Sequence, residues 1–429
     1  MIKDFDSIPK VDNQSGLLKI NELIESPVTG INQSKSIKLD TFQPIMDFSN
    51  FLLIVLKLSR IEEPDFAPSS FILDDKELIN EFDKVPNMNK EFVKTFAFNL
   101  LKAKYLLDNY IVHHSNEDDT VENNPWKLQY WQKDDKNEYL KNLDGESDAQ
   151  HKLVHLLSMF EVSFTARQRK NYLFYCLFYL LKNDYKVIGN YYEFVLGLAD
   201  KYFKDVYLVK GNLNSINTPN PGSFDRTILK SNKLNISPEN NNFDFASIYG
   251  DGTEVSKGIS LFVFNYVDYK LWGKYCDILR GEKTKTSDKV RKEFFDTLGC
   301  SDFGLKVFEQ FYFSRTRRSL EHFFPTANAT GKDGVPNEEQ INCFGNFAMI
   351  GSEANSSGNN WSPKSKLDHY LDSSGKIKQI SVASLKFMIM MQKCKENQKD
   401  VGRGEDPGFE WIYEDIIEHQ NNMQEIISN

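Results

Sequence analysis

A carboxylate and an imidazole stand side by side at Glu321 and His322. Imidazole is the side chain whose ordinary pKa lies nearest neutrality, so His322 can act as a general base and take a proton from water. Glu321, with the amides of Asn355 and Asn359, can supply the oxygen ligands that hard divalent cations prefer. Asn346 is a candidate acceptor that holds the imidazole in one tautomer. These residue types favour metal-assisted hydrolysis of a phosphodiester bond.

Each of these residue types also has an ordinary structural interpretation. In a strand, neighbouring side chains point to opposite faces, so Glu321 and His322 share a site only if the strand twists or ends there, and Pro325 predicts such an end. A Glu-His pair before aromatic residues is also typical of a plain strand end, and asparagines beside glycine often serve turns and caps. His151 and His155, four residues apart in a predicted helix, are expected to be surface or packing residues.

The order of the motifs resembles a known nuclease family. The strings LEHFFP, GNFAMI and EANSS, followed by WSPKSK, resemble the HNH (ββα-metal) nuclease motif in the divergent form found at the C-terminus of GmrSD-type restriction endonucleases. The resemblance implies that His322 is the general base and that Asn346 orients it. It implies Glu321 and Asn355 as metal ligands, and Asn359 as a further ligand or phosphate contact.

The chain departs from the family pattern at two places. Phe347, Ala348 and Met349 follow the Gly-Asn pair where leucines are usual, and both late positions are asparagine where many relatives carry histidine. Amide ligands bind a transition metal more weakly than imidazole does. The expected cofactor is therefore Mg²⁺ or Mn²⁺ and not a tightly held zinc.

Charge is distributed unevenly along the chain. The whole sequence carries a formal net charge of -9, whereas residues 311–378 carry +1 and the remainder -10. Phosphate contact requires basic residues, and the alternative for any one of them is a solvated basic surface. The candidate nucleic-acid contacts flank the motif and are Arg315, Arg317, Arg318, Lys364 and Lys366.

Length and composition set the class of protein. A chain of 429 residues with 40% hydrophobic and 13% aromatic residues can bury sizeable cores. The five cysteines are scattered, with no C-x-x-C pair, which favours a reducing compartment over a disulfide framework. The first residues lack the features of a secretory signal, and the longest apolar runs are too short to cross a bilayer. We expect a cytoplasmic protein without a membrane partner.

Hydrophobic periodicity predicts a mainly α fold with a small α+β part. Residues 1–45 are polar and irregular and are expected to be an arm or linker, and residues 46–208 are expected to be an all-helical domain. Residues 209–257, rich in Asn, Ser, Pro and Gly, are predicted to be a long loop or boundary. Residues 258–429 are expected to be an HNH-like nuclease domain packed with C-terminal helices, with its core motif at 311–378.

The resemblance extends weakly over residues 38–410, but the family's nucleotide-hydrolysing part has no counterpart. Neither a DGQQR-like string nor a G-x-x-x-x-G-K-[ST] phosphate loop occurs. This predicts either the nuclease subunit of a split system with a separate nucleotide-hydrolysing sensor subunit, or a truncated remnant. The leading hypothesis is a metal-dependent DNA endonuclease of a restriction or antiphage defence system. The alternatives are a non-catalytic helical adaptor that binds nucleic acid or a partner, and an RNA-directed nuclease.

Overall fold

Helices make up most of the molecule. The structure is a computed structural model that describes residues 46–115, 124–133, 138–145, 147–208, 223–240, 245, 260–282, 287–351, 360–374, 376, 383–399 and 410–428. Within these ranges the helices are α1 (Phe48–Arg60), α2 (Leu78–Asp83), α3 (Lys90–Tyr110), α4 (Asp148–Ser163), α5 (Ala166–Lys182), α6 (Ile188–Lys201), α7 (Ser223–Ile228), α8 (Leu261–Glu282), α9 (Ser287–Leu298), α10 (Lys306–Glu309), α11 (Glu338–Ile341), α12 (Pro363–Tyr370), α13 (Leu385–Asn397) and α14 (Tyr413–Ser428). A π-helical segment, Tyr202–Tyr207, continues α6.

Within the described residues the strands form two-stranded sheets. They are β1 (His113–His114), β2 (Trp126–Lys127), β3 (Gln129–Lys133), β4 (Glu138–Asn142), β5 (Leu229–Lys230), β6 (Lys233–Leu234), β7 (Ser319–His322) and β8 (Phe347–Ile350). In the described part of the chain each strand pairs antiparallel with its neighbour in this order. In the last pair His322 lies opposite Phe347, and Glu321 lies opposite Ala348. The described fold is therefore mainly helical with small antiparallel sheets.

Several helices begin at caps that the sequence specifies. The Asp47 carboxylate accepts a hydrogen bond from the Asn50 N–H at 2.8 Å and so starts α1. Thr165 and Gln168 form a capping box at the start of α5. Apolar residues at helical spacing predict helices over 48–59 and 288–297, and α1 and α9 confirm both predictions.

Aromatic rings fill the larger hydrophobic core. Phe160 of α4 stacks on Tyr172 of α5 with ring centroids 4.9 Å apart, and Phe164 stacks on Phe262 of α8 at 5.4 Å. The same core includes Met423 of α14, and this C-terminal helix packs against α8 and α9. A smaller core lies under β7 and β8 and joins α12, α13 and α14.

The prediction that residues 46–208 are all helical is wrong in detail. Apolar spacing predicts a helix over about 90–114, but α3 ends at Tyr110, and β1 to β4 lie between α3 and α4. These strands are only two to five residues long, so hydrophobic periodicity does not reveal them. The predicted arm at 1–45 lies outside the described residues, as does much of 209–257, whose described part contains α7 and the β5–β6 pair. No described helix is both long and apolar enough to cross a bilayer.

Candidate active site

His322 is the last residue of β7, and its ring is held by an asparagine. The Nε2 atom lies 2.9 Å from Oδ1 of Asn342, which follows the short helix α11. Asn342 in turn donates its amide N–H to the Glu338 carbonyl at 2.7 Å. The ring of Phe347, opposite on β8, lies against the imidazole with centroids 4.3 Å apart. The imidazole is therefore fixed on two sides.

These contacts select one tautomer of the histidine. The amide nitrogen of Asn342 is engaged with a carbonyl, so its oxygen faces Nε2, and Nε2 must carry the proton. In a neutral ring the unprotonated Nδ1 is then the basic atom. Among the described residues Nδ1 of His322 makes no hydrogen bond. This is the arrangement that a general base requires.

Burial sets the protonation state of this ring. Loss of solvation lowers the pKa of His322 below its ordinary value, the hydrogen bond to Asn342 raises it again in part, and the nearby Lys366 charge lowers it. The imidazole is therefore neutral at neutral pH. A neutral ring can accept a proton, whereas an imidazolium cannot.

Glu321 lies buried and faces a lysine. Its Oε1 atom is 2.7 Å from the Lys366 ammonium of α12. Burial raises the pKa of Glu321, and the attraction of Lys366 opposes this. The Lys366 Nζ also donates to the carbonyl oxygens of His322 at 2.6 Å and Phe323 at 2.8 Å. Three acceptors for three N–H groups match a protonated ammonium, so the pair is an ion pair.

Asn346 does not orient His322, and this prediction requires correction. Its side chain is fully buried and bonds the Phe324 N–H at 2.9 Å, the Phe324 carbonyl at 3.0 Å and the Ile341 carbonyl at 2.9 Å. The Trp411 indole N–H also donates to its oxygen, at 3.2 Å. Asn346 therefore holds the segment that follows His322, while Asn342 holds the ring.

The sequence carries no clear signal for Asn342. It stands only four residues before Asn346 in a segment with several polar residues, and both asparagines are suited to caps and turns. A hydrogen bond to His322 depends on where α11 ends relative to β7, which are separated by 15 residues of the chain. Only the tertiary arrangement decides which of the two amides reaches the imidazole.

Gly345 and Lys386 fix the start of β8. A Cβ atom at Gly345 would lie 1.8 Å from the Ile416 carbonyl oxygen of α14, so only glycine fits. The buried Lys386 of α13 donates to the carbonyls of Phe344 at 2.9 Å and Phe347 at 2.5 Å. The Gly-Asn pair of the motif thus has a structural role in this chain, which is close packing at Gly345 and main-chain bonding at Asn346.

Two of the predicted phosphate contacts are buried and need correction. Arg317 is 2% exposed and donates to the carbonyls of Ala383 and Tyr312, both at 2.8 Å. Lys366 is 3% exposed and engaged as described above. Both side chains satisfy buried main-chain carbonyls, because the irregular segments around them leave these groups without strand or helix partners.

The other three basic residues lie nearer the surface. Arg318, directly before β7, is exposed. Arg315 is half-buried with its guanidinium 5.1 Å from the centre of the Trp126 ring. Lys364 is half-buried on α12, and its main-chain N–H donates to the Glu410 carboxylate at 2.9 Å. These three stay predicted phosphate contacts.

Only one of the three predicted metal ligands lies within the described residues. Asn355 and Asn359 lie outside the described residues. Glu321, the remaining predicted ligand, is already neutralised by Lys366. In the described part of the chain no group of three or more His, Cys, Asp or Glu side chains is placed to hold a metal ion.

Comparison of the chain with models of protein families, with curated proteins and with solved structures found no match.

Proposed function

We propose that this protein hydrolyses phosphodiester bonds in nucleic acid, with His322 as the general base. The observation that carries the proposal is the imidazole itself, because Asn342 holds its protonated Nε2 while Nδ1 is unengaged by the described residues. The lowered pKa keeps this base ready at neutral pH. The order of strand, strand and helix in β7, β8 and α12 agrees with the nuclease resemblance.

The chemical step assigned to His322 is proton removal. Nδ1 takes a proton from water as the water oxygen forms a bond to phosphorus. The bond between phosphorus and the 3′ oxygen then breaks, and the departing oxygen takes a proton from solvent. General-base catalysis of this kind contributes roughly 10²–10⁴-fold to rate.

Two basic residues near the motif, one exposed and one half-buried, support a polyanionic substrate. Arg318 immediately precedes β7, and Lys364 lies on α12, the helix that also carries Lys366. Such residues position a phosphate backbone without reading its sequence. DNA is the substrate that the resemblance favours, in a restriction or antiphage role. A requirement for Mg²⁺ or Mn²⁺ and a separate nucleotide-hydrolysing subunit stay predictions.

The test is cleavage of supercoiled plasmid and of labelled RNA with Mg²⁺, Mn²⁺ or chelator. His322→Ala should reduce cleavage by roughly 100-fold or more while its thermal unfolding stays near that of the wild type. The matched control is His151→Ala, since His151 is an exposed histidine of α4. Equal cleavage by wild type and His322→Ala would disprove the role of the histidine.

A second candidate function is supported by the Glu321–Lys366 ion pair. A carboxylate that is buried and neutralised by an ammonium is poorly placed to bind a divalent cation. This favours a non-catalytic adaptor that keeps the fold and binds nucleic acid or a partner.

Direct metal binding separates the two candidates. Titration of Mn²⁺ followed by electron paramagnetic resonance, on wild type and Glu321→Gln, reports whether this carboxylate binds the ion. Loss of Mn²⁺ binding in Glu321→Gln would support the metal-dependent nuclease. Retention of nucleic-acid binding without Mn²⁺ binding or cleavage would support the adaptor.

A further inference from the structure

One face of α3 packs inward, and the opposite face is exposed and carries apolar residues between charged ones. Ala103, Leu106, Leu107 and Tyr110 are the buried residues of this helix. On the other face Phe98 is 49% exposed, Leu101 65% and Tyr105 51%. Leu101 lies three residues after Phe98 and four before Tyr105, so these three side chains form one stripe along the helix.

Such a stripe is unlike scattered surface hydrophobics. Single exposed apolar residues are normal, but contiguous apolar surface marks an interaction site. The adjoining Val93 is also 51% exposed.

Two charged residues of this face, of opposite sign, lie symmetrically about Leu101. Lys94 lies seven residues before Leu101 and Asp108 seven residues after it, and both are exposed. Seven residues are close to two helical turns, so both charges lie on the same face as Leu101. They carry opposite signs at equal distances from one central residue.

This symmetry is what an antiparallel second copy requires. If two α3 helices cross at Leu101, Lys94 of each copy meets Asp108 of the other, and both contacts form at once. The same operation places Ala97 opposite Tyr105, a small residue against a large one.

A further pair follows from the same register. Phe98 falls opposite Lys104, an arrangement that suits a cation–π contact. Within one chain Lys104 already pairs with Asp108, and Lys94 lies 3.0 Å from Glu91. In the dimer Lys94 would join the Lys104–Asp108 pair of the other copy as a small charge network.

We propose that the exposed face of α3 is the interface of a symmetric dimer, with a second copy of this chain docked antiparallel about Leu101. The contact from Lys94 to Asp108 spans about 21 Å of helix, since each residue rises 1.5 Å. Two helices stay in contact over that length only when they cross at a shallow angle of about 20°. A second copy presents this pattern by symmetry, so the contact of Lys94 with Asp108 and that of Ala97 with Tyr105 each form twice.

The first test is the mass of the protein in solution. Sedimentation velocity over a concentration series should show a species of twice 49.7 kDa for the wild type. Leu101→Glu, which places two like charges at the symmetry axis, should give the monomer. The matched control, Thr95→Glu, changes an exposed residue on another side of α3 and should leave the dimer intact. A wild type that is monomeric at all concentrations, or equal effects of the two variants, would overturn the proposal.

The second test is charge exchange. Lys94→Glu and Asp108→Lys should each weaken the dimer by roughly tenfold, because each single change disturbs both symmetric contacts. The double variant restores opposite charges across the interface and should recover most of the affinity. A double variant as weak as the singles would rule out the antiparallel register.

The third test uses a cysteine at the axis. In helices packed 8–10 Å apart, two facing residues at the crossing point come within disulfide reach. Leu101→Cys should therefore cross-link readily under mild oxidation. Val93→Cys is as accessible but faces position 109 of the other copy, so it should cross-link poorly. The native cysteines are buried or half-buried, which keeps the background low. Equal cross-linking by both variants would contradict a dimer centred on Leu101.

Discussion

The helical region and the segments around the β7–β8 pair are stabilised by different kinds of contact. In the helical region aromatic rings stack in a large core, as Phe164 does on Phe262. Around the β7–β8 pair, buried polar side chains bind main-chain groups, as Lys366, Lys386 and Asn346 do. Helices satisfy their own main-chain groups, whereas short strands and 3₁₀ turns leave carbonyls that side chains must satisfy. The difference predicts which substitutions each region tolerates.

Removing the Lys366 ammonium should have the largest effect on stability. Lys366→Met leaves Glu321 as an unpaired buried carboxylate and leaves the carbonyls of His322 and Phe323 without a donor. Loss of one partner of a buried ion pair costs about 3–5 kcal/mol of unfolding free energy. Chemical denaturation measures this loss. Lys364→Met, on the same helix but half-buried, should change stability by less than about 0.5 kcal/mol.

Asp268 links the two regions and should make stability depend on pH. This buried carboxylate of α8 accepts the main-chain N–H of Lys386 at 3.0 Å and so joins α8 to the start of α13. Burial raises the pKa of Asp268 to about 6, and the charge of Arg317 opposes the rise.

The sign follows from proton binding. Between pH 4 and pH 6 the folded protein binds a proton at Asp268 that the unfolded chain has lost, so unfolding free energy falls as pH rises through this window. The fall attributable to this group is at most roughly 3 kcal/mol, at 1.36 kcal/mol for each pKa unit. Denaturation at several pH values should show this slope in the wild type and not in Asp268→Asn. Parallel pH profiles for the two proteins would contradict the assignment.

An apolar replacement of similar size should distinguish the two regions directly. Asn346→Leu leaves the Phe324 N–H, the Trp411 indole N–H and two carbonyls without partners, so it should cost more than about 2 kcal/mol. Phe164→Leu, in the aromatic core, keeps an apolar side chain and should cost less than about 1.5 kcal/mol. Thermal and chemical unfolding of both variants tests the comparison, and a smaller cost for Asn346→Leu than for Phe164→Leu would refute it.

The smallest expected effect concerns the His322 ring. Asn342→Ala removes the hydrogen bond that raises the pKa of His322, so this pKa should fall further below its ordinary value. An NMR titration of the ring protons measures the change. If His322 is the base, the acid limb of the pH–rate profile should move to lower pH by the same amount. An unchanged titration would show that Asn342 does not hold the ring.

The His322 pKa also bears on stability. Because this pKa lies below the ordinary value of histidine, the unfolded chain takes up a proton first as the pH falls. The unfolding free energy therefore keeps its full value with respect to His322 above pH 6.5. It falls as the pH drops below 6.5.

Two histidines show how far the sequence alone can be read. His155 was expected to be a packed or surface residue, and it is buried, stacks on Trp272 at 3.7 Å and has both ring nitrogens near carbonyl oxygens. His322 was expected to be a base beside Asn346, yet Asn342 holds it. Residue type and local pattern indicated which histidine belongs to the motif. They did not indicate which amide reaches it.

The same limit applies to the basic residues. Arg317 and Arg318 are neighbours with the same side chain, but Arg317 is buried against main-chain carbonyls and Arg318 is exposed. The sequence does not distinguish the buried arginine from the exposed one, because a run of basic residues does not show which side chain faces the core. Lys366 is a further example, since Lys366 and its partner Glu321 lie 45 residues apart in the chain.

The sequence by itself determined the helices over 48–59 and 288–297 and the end of β7 before Pro325, because apolar spacing and proline act over a few neighbouring residues. The tertiary structure alone decided the β1–β4 pairings, the burial of Arg317 and Lys366 and the choice of Asn342 over Asn346. Those outcomes depend on contacts between residues far apart in the chain, where geometry decides which main-chain group lacks a partner and which side chain can reach it.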